Sequence, residues 1–246
     1  MNTVDSPNIS WNEGADAQSL AENLAGELVV GINEAIAQKG DAVIALSGGS
    51  TPKPLFRALA EHAIDWSKVI ITLVDERCVP ETHALSNAAF LKDNLLKLLP
   101  IEPRFVPLYR PAQTVEASYP LVLADYCEAT KSSVSNLRGF DVVILGMGGD
   151  GHTASFFPDA GNVAELVSLE NSQPLLTCHS ESTQVNRITW SLASLLSTEY
   201  LVLHFTGVDK LTVFENAVSG GGPATELPIR AAIFQDRTPL NVYYAA

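Results

Sequence analysis

The chain has 246 residues, and its 15 Lys plus Arg against 28 Asp plus Glu give a formal net charge of −13. That balance disfavours nucleic acid and anionic membrane as partners, and it makes the position of each scarce cation informative. Three widely spaced cysteines, Cys78, Cys127 and Cys178, with no Cys-x-x-Cys pair, argue against a disulfide framework and a structural zinc site.

The opening MNTVDSPNIS has neither a basic n-region nor an apolar h-region, so no signal peptide is expected. No apolar run approaches membrane-spanning length. A cytoplasmic protein is the expectation.

Residues 16–39 predict an amphipathic helix. Leu20, Leu24, Leu28, Ile32 and Ile36 recur every four residues, and Gly40 marks the stop. AVIAL (42–46) predicts a buried strand, followed by SGGSTP (47–52) and a helical pattern over 52–61. In that turn Gly48 and Gly49 let backbone approach a ligand, Ser50 or Thr51 suits the N-cap, and Pro52 suits the first turn. Ser47 to Thr51 fit a phosphate cradle at a helix N-terminus, and they fit equally a tight β–α turn with a good cap. No Walker lysine follows.

VIITLV (69–74) predicts the next strand, and DERCVP (75–80) its end. Asp75 and Arg77 alternate, so they share a direction and are site candidates. Glu76 reads as part of a solvated loop. Residues 86–99 predict a helix with Leu91, Leu95, Leu98 and Leu99 on its apolar face.

DVVILG (141–146) predicts a further strand and runs into GMGGDGH. The spacing Gly-x-Gly-x-x-Gly is that of a dinucleotide turn. Yet Pro158 interrupts soon after His152, and Asp150 would point a carboxylate at the pyrophosphate. The preferred reading is a sharp loop, shaped by Gly148 and Gly149, that presents Asp150 and His152. There the carboxylate fixes the imidazole tautomer for a general base. The alternative is a capped turn with a structural histidine.

PLLTC (174–178), YLVLHF (200–205) and LNVYY (240–244) predict the remaining parallel strands, and 208–218 a helix. Arg187 in NRIT and Lys210 in TGVDK are placed at strand-to-helix transitions near one sheet edge. His204, inside an apolar strand, reads as a satisfied core residue. GGGP (220–223) reads as a surface loop. There is no Gly-x-Ser-x-Gly elbow and no His-x-x-x-His pair, so neither a serine nucleophile nor a metal is expected.

The alternation predicts an α/β fold: a doubly wound, mostly parallel sheet with helices on both faces, in one domain over residues 1–246. The ordered set SGGSTP, DERCVP, SNAAFL (86–91), GMGGDGHTASFFP, RIT and GVDK resembles the 6-phosphogluconolactonase family, within the glucosamine-6-phosphate isomerase/deaminase superfamily. The resemblance runs from about residue 11 to the C-terminus. One departure is SESTQVN before RIT, where this family often has a proline-rich approach.

The resemblance implies a modified Rossmann-like fold that binds no dinucleotide and needs no cofactor. It implies hydrolysis of a small-molecule sugar-phosphate lactone, 6-phospho-D-glucono-1,5-lactone, in the oxidative pentose phosphate pathway. His152 would be the base. The Ser47–Thr51 turn, Arg77, Arg187 and Lys210 would hold the substrate or its phosphate, and amides around Gly148–Gly151 or one of the cations would stabilise the oxyanion. A monomer or weak homo-oligomer is expected.

Two rivals stay open. One is an amino-sugar phosphate deaminase-isomerase, whose related loop resembles Gly-His-Ile-Ala-Phe-Asn-Glu-Pro and carries a glutamate where this chain has Phe157, read here as core packing. The other is a non-catalytic sugar-phosphate sensor, which would normally carry a DNA-binding segment.

Overall fold

The computed structural model describes residues 8–112 and 114–246. Residues 1–7, which carry most of the signal-peptide reading, lie outside the described residues. In chain order the elements are β1 (Ile9–Glu13), α1 (Ala17–Lys39), β2 (Ala42–Leu46), α2 (Lys53–Glu61), β3 (Val69–Leu73), β4 (Asp75–Arg77), α3 (Asn87–Asn94), β5 (Arg104–Val106) and α4 (Val115–Thr130). There follow β6 (Phe140–Leu145), α5 (Val163–Leu166), β7 (Leu175–His179), β8 (Asn186–Trp190), α6 (Leu192–Leu195), β9 (Thr198–Thr206), α7 (Val208–Ser219), α8 (Ile229–Ile233) and β10 (Leu240–Ala245).

Seven strands form one parallel sheet in the order β1-β10-β9-β6-β2-β3-β5. The α/β class is as expected. Strands β2, β3 and β6 are buried along their whole length, which is why they read as continuous apolar runs. Helix α1 is fixed at both ends by local chemistry. Asp16 and Ser19 form a capping box, and Gly40, at φ +89°, donates its N–H to the Ile36 carbonyl. Its Leu20, Leu24, Leu28 and Ile32 are buried where the helix packs on β2, β6 and β10. Among the described residues no helix is long and apolar enough to cross a membrane.

From β2 the chain moves outward through β3 to β5, and then returns to β6 on the other side of β2. The carboxyl ends of β2 and β6 therefore flank a topological switch point, where ligands bind in open α/β sheets. Ser47 ties the two ends together. Its hydroxyl donates to the Ile144 carbonyl at 2.8 Å and accepts from the Gly146 N–H at 3.1 Å.

Four expectations need correction. PLLTC forms β7, but in a separate antiparallel sheet of order β4-β8-β7 rather than in the parallel one. Arg187 lies within β8 of that sheet, not at a strand-to-helix transition. A short apolar run bounded by polar residues looks alike in either sheet, so its composition could not separate the two. Val74 makes the hand-over: its N–H reaches the Leu46 carbonyl in one sheet and its carbonyl accepts from Trp190 in the other.

The helix expected over 86–99 ends at Asn94, followed by a 3₁₀ turn at Leu96–Leu98. Finally, the N-cap of α2 is Pro52, with no side-chain cap from Ser50 or Thr51. Helix α4, with Pro120 inside it, falls in a stretch for which the sequence reading names no element.

Candidate active site

The loops after β2 and β6, with β4, the start of α3, β8 and the junction of β9 with α7, enclose a cavity of about 320 Å³ at the switch point. Of the residues expected at a site, Ser47, Gly48, Gly49, Ser50, Thr51, Asp75, Arg77, Gly148, His152, Arg187 and Lys210 line it. Gly149 and Asp150 do not; they are exposed residues of the same turn.

The loop after β6 is a tight turn. The Gly148 N–H donates to the His152 carbonyl at 2.9 Å, the Gly151 N–H to the Gly148 carbonyl at 3.1 Å, and Gly151 adopts φ +77°. A β-carbon on Gly148 would lie 2.2 Å from the His152 ring, so only glycine lets the imidazole fold back over its own loop. His152 Nδ1 lies 2.5 Å from Asp150 Oδ1, which also accepts the His152 backbone N–H at 3.2 Å. Burial pushes the Asp150 carboxyl up, but its bonds with His152 override this and leave it below the ordinary value. Asp150 is therefore an anion at neutral pH. It holds the proton on Nδ1 and leaves Nε2 as the basic nitrogen.

Phe157 is 2% exposed and does more than fill the core. Its ring stacks on His152 with centroids 4.3 Å apart, and the Arg187 guanidinium sits 4.7 Å over the same ring.

The cations converge on the other side. Arg77 and Arg187 face each other directly on β4 and β8. Like charges in that register repel. Asp75 answers part of this: its Oδ2 accepts from Arg187 Nη1 at 3.2 Å and from the Ser155 hydroxyl at 2.6 Å. Burial pulls the Arg187 pKa down, and Asp75 offsets this only in part. Arg77 Nη1 donates to Asn87 Oδ1 at 2.8 Å and to the Leu85 carbonyl at 2.7 Å. Burial also lowers the Lys210 pKa. Helix α2 turns its uncapped N-terminus toward the same cavity, through the Ser47–Thr51 turn. The excess of positive groups over Asp75 fits an anionic ligand.

Three polar lining residues are absent from the sequence-based site. Asn87 bridges the Asp75 carbonyl (3.0 Å) and Arg77, and a β-carbon on Gly48 would strike it at 2.0 Å. Its signal lay in SNAAFL, directly after the Ser86 cap. Thr183 brings a buried hydroxyl without a partner among the described residues, and no sequence signal marked it. His204 lines the cavity as well, and it is not the satisfied core residue expected. It is buried, but neither ring nitrogen has a hydrogen-bond partner among the described residues.

Glu76 also departs from expectation. It is 1% exposed, not in a solvated loop. Its carboxylate accepts the N–H groups of Asn87 (2.8 Å) and Ala88 (2.7 Å), and the Ser86 hydroxyl at 3.2 Å, and so caps α3. Burial raises its pKa, against the pull of those backbone bonds. Glu76→Ala strands three buried donors, at about 1–3 kcal/mol each. The expected drop in melting temperature is about 2–4 °C per kcal/mol. An unchanged midpoint would show that α3 does not depend on this cap.

A parallel α/β sheet with an Asp-paired histidine and a cation-rich wall at its switch point presents groups suited to an anionic ligand and to proton transfer. The comparisons narrow that reading. Residues 15–240 match the family described as glucosamine-6-phosphate isomerases/6-phosphogluconolactonase, and the chain belongs to that family. A 6-phosphogluconolactonase of Rhizobium meliloti is 43% identical, over 92% of this chain and 94% of that one. Another, of Mesorhizobium japonicum, is 41% identical over 96% and 95% of the two chains. The crystal structure of a 6-phosphogluconolactonase from Shewanella baltica superposes with a TM-score of 0.87 at 31% identity, covering 100% of both chains.

Proposed function

We propose that this chain hydrolyses 6-phospho-D-glucono-1,5-lactone to 6-phosphogluconate in the oxidative pentose phosphate pathway. It does so as one cytoplasmic domain, a monomer or weak homo-oligomer, without metal or organic cofactor. The observation that carries this reading is the Asp150-held His152 facing a cavity walled by Arg77, Arg187 and Lys210.

Nε2 of His152 takes a proton from water as the water oxygen bonds to the lactone carbonyl carbon. The charge passes to the carbonyl oxygen, where the Gly148–Gly151 amides or a neighbouring cation stabilise it. When this intermediate collapses, the bond from that carbon to the ring oxygen breaks. The ring oxygen then takes the proton from the imidazolium. One water is consumed and no covalent enzyme intermediate is needed. The α2 N-terminus and the cations hold the phosphate. The amino-sugar rival needs further proton-transfer groups, and where its loop carries a glutamate this chain has the apolar Phe157.

The test is loss of freshly made phosphogluconolactone, followed by a coupled assay against spontaneous hydrolysis. The rate should exceed background and survive dialysis against a strong chelator. It should fall steeply for the lactone without the 6-phosphate, since charge-assisted bonds are worth about 1.5–3 kcal/mol each. Glucosamine 6-phosphate should release no ammonia under the same conditions. Equal efficiency on both lactones would remove the phosphate role, and ammonia release at the lactone rate would reverse the ranking of the two enzymes.

A further inference from the structure

His204 lies near the carboxyl end of β9, one strand away from the His152 loop. It is 3% exposed, lines the active cavity, and leaves both ring nitrogens without a protein partner among the described residues. Most buried side-chain polar atoms find a partner, and each exception calls for an explanation. A leucine or valine would suit an apolar strand without that cost.

The second observation is Lys210. It sits in the first turn of α7, where the positive end of the helix dipole disfavours a cation. It also lines the cavity, and among the described residues it forms no ion pair or hydrogen bond. Two groups with unused hydrogen-bonding capacity thus line the same cavity, near enough for the Lys210 charge to act on His204.

Resting on the proposed lactonase reading, we propose that His204 is a substrate-binding residue that shares with Lys210 one oxygen-bearing group of the phosphorylated sugar. Lys210 supplies the charge. His204 supplies an uncharged hydrogen-bonding edge, because burial and the Lys210 ammonium hold its pKa down to about 4. A neutral imidazole has one N–H and one bare nitrogen. It can donate to a phosphate oxygen, or it can accept from a hydroxyl that in turn accepts from Lys210. In both cases the ring pairs with an oxygen of the same phosphorylated sugar.

Ring-labelled histidine spectra of the full chain, with His204 assigned by its absence in His204→Phe, read this directly. Saturating 6-phosphogluconate should shift the His204 ring signals. Inorganic phosphate reproducing the shift assigns the partner as the phosphate, and gluconate reproducing it assigns a hydroxyl. In lactone turnover His204→Phe should raise KM by roughly five- to tenfold, the worth of one hydrogen bond, with a smaller change in kcat. His204→Asn should recover part of the loss, which a purely packing role would not allow. An unmoved His204 signal at saturating 6-phosphogluconate, or an unchanged KM in a folded His204→Phe protein, overturns the inference. Such a result leaves the lactonase reading standing wherever the wild-type chain still outpaces spontaneous hydrolysis.

Discussion

Replacing His152 by Ala or Gln is expected to lower kcat by about 10²-fold or more while KM and the fold stay close to wild type. The expectation rests on the division of labour around the ring. Asp150 occupies Nδ1 at 2.5 Å, so the only nitrogen left to take a proton from water is Nε2. The side chain lines the cavity at a half-open position and makes no bond that the neighbouring elements depend on, so its loss should not unfold the chain. Asp150→Asn should cost less than His152→Ala. The amide keeps the geometry but loses the charge that favours the imidazolium, and residue 150 does not itself line the cavity. Circular dichroism and lactone kinetics on both variants decide the matter. A folded His152→Ala enzyme with near-normal kcat would take the base out of the mechanism.

The second large effect belongs to Phe157. Truncating a buried phenyl ring to Ala costs about 3–5 kcal/mol through lost transfer and a residual cavity. A domain stable by only about 5–15 kcal/mol is left with little reserve. The particular surroundings add to this. The ring holds the His152 imidazole on one contact and receives the Arg187 guanidinium on another. A cation over a desolvated ring contributes about 2 kcal/mol, and Arg187 has few other anchors besides Asp75. Phe157→Ala should therefore melt well below the wild type.

Phe157→Leu separates packing from positioning. Leucine keeps most of the apolar volume but offers no flat face. That variant should fold, yet show a reduced kcat from a loosened His152 and a raised KM from a displaced Arg187. Wild-type kinetics in a folded Phe157→Leu protein would return Phe157 to the core-packing role its sequence context suggests.

Which parts were legible beforehand follows from how far each signal reaches along the chain. Helix α1 was plain because its cap, its four-residue apolar repeat and its terminal glycine are all local. The buried strands β2, β3 and β6 were plain because both faces are covered, which forces an unbroken apolar run. The Asp150–His152 pair could also be read, since two residues in one glycine turn meet without help from the rest of the fold.

Other features were settled only in three dimensions. The antiparallel sheet β4-β8-β7 depends on Val74 switching partners between two sheets, and no local pattern encodes that. The register that sets Arg77 against Arg187 joins residues 110 positions apart in the chain. Glu76 looked like a surface charge until α3 brought its free amides to it. His204 looked like core because its neighbours in the strand are apolar, and whether a buried nitrogen has a partner depends on every element packed around it. Composition and period report one residue's neighbours along the chain. Charge pairing, capping at a distance and orphaned polar atoms report its neighbours in space, and only the packed sheet brings those together.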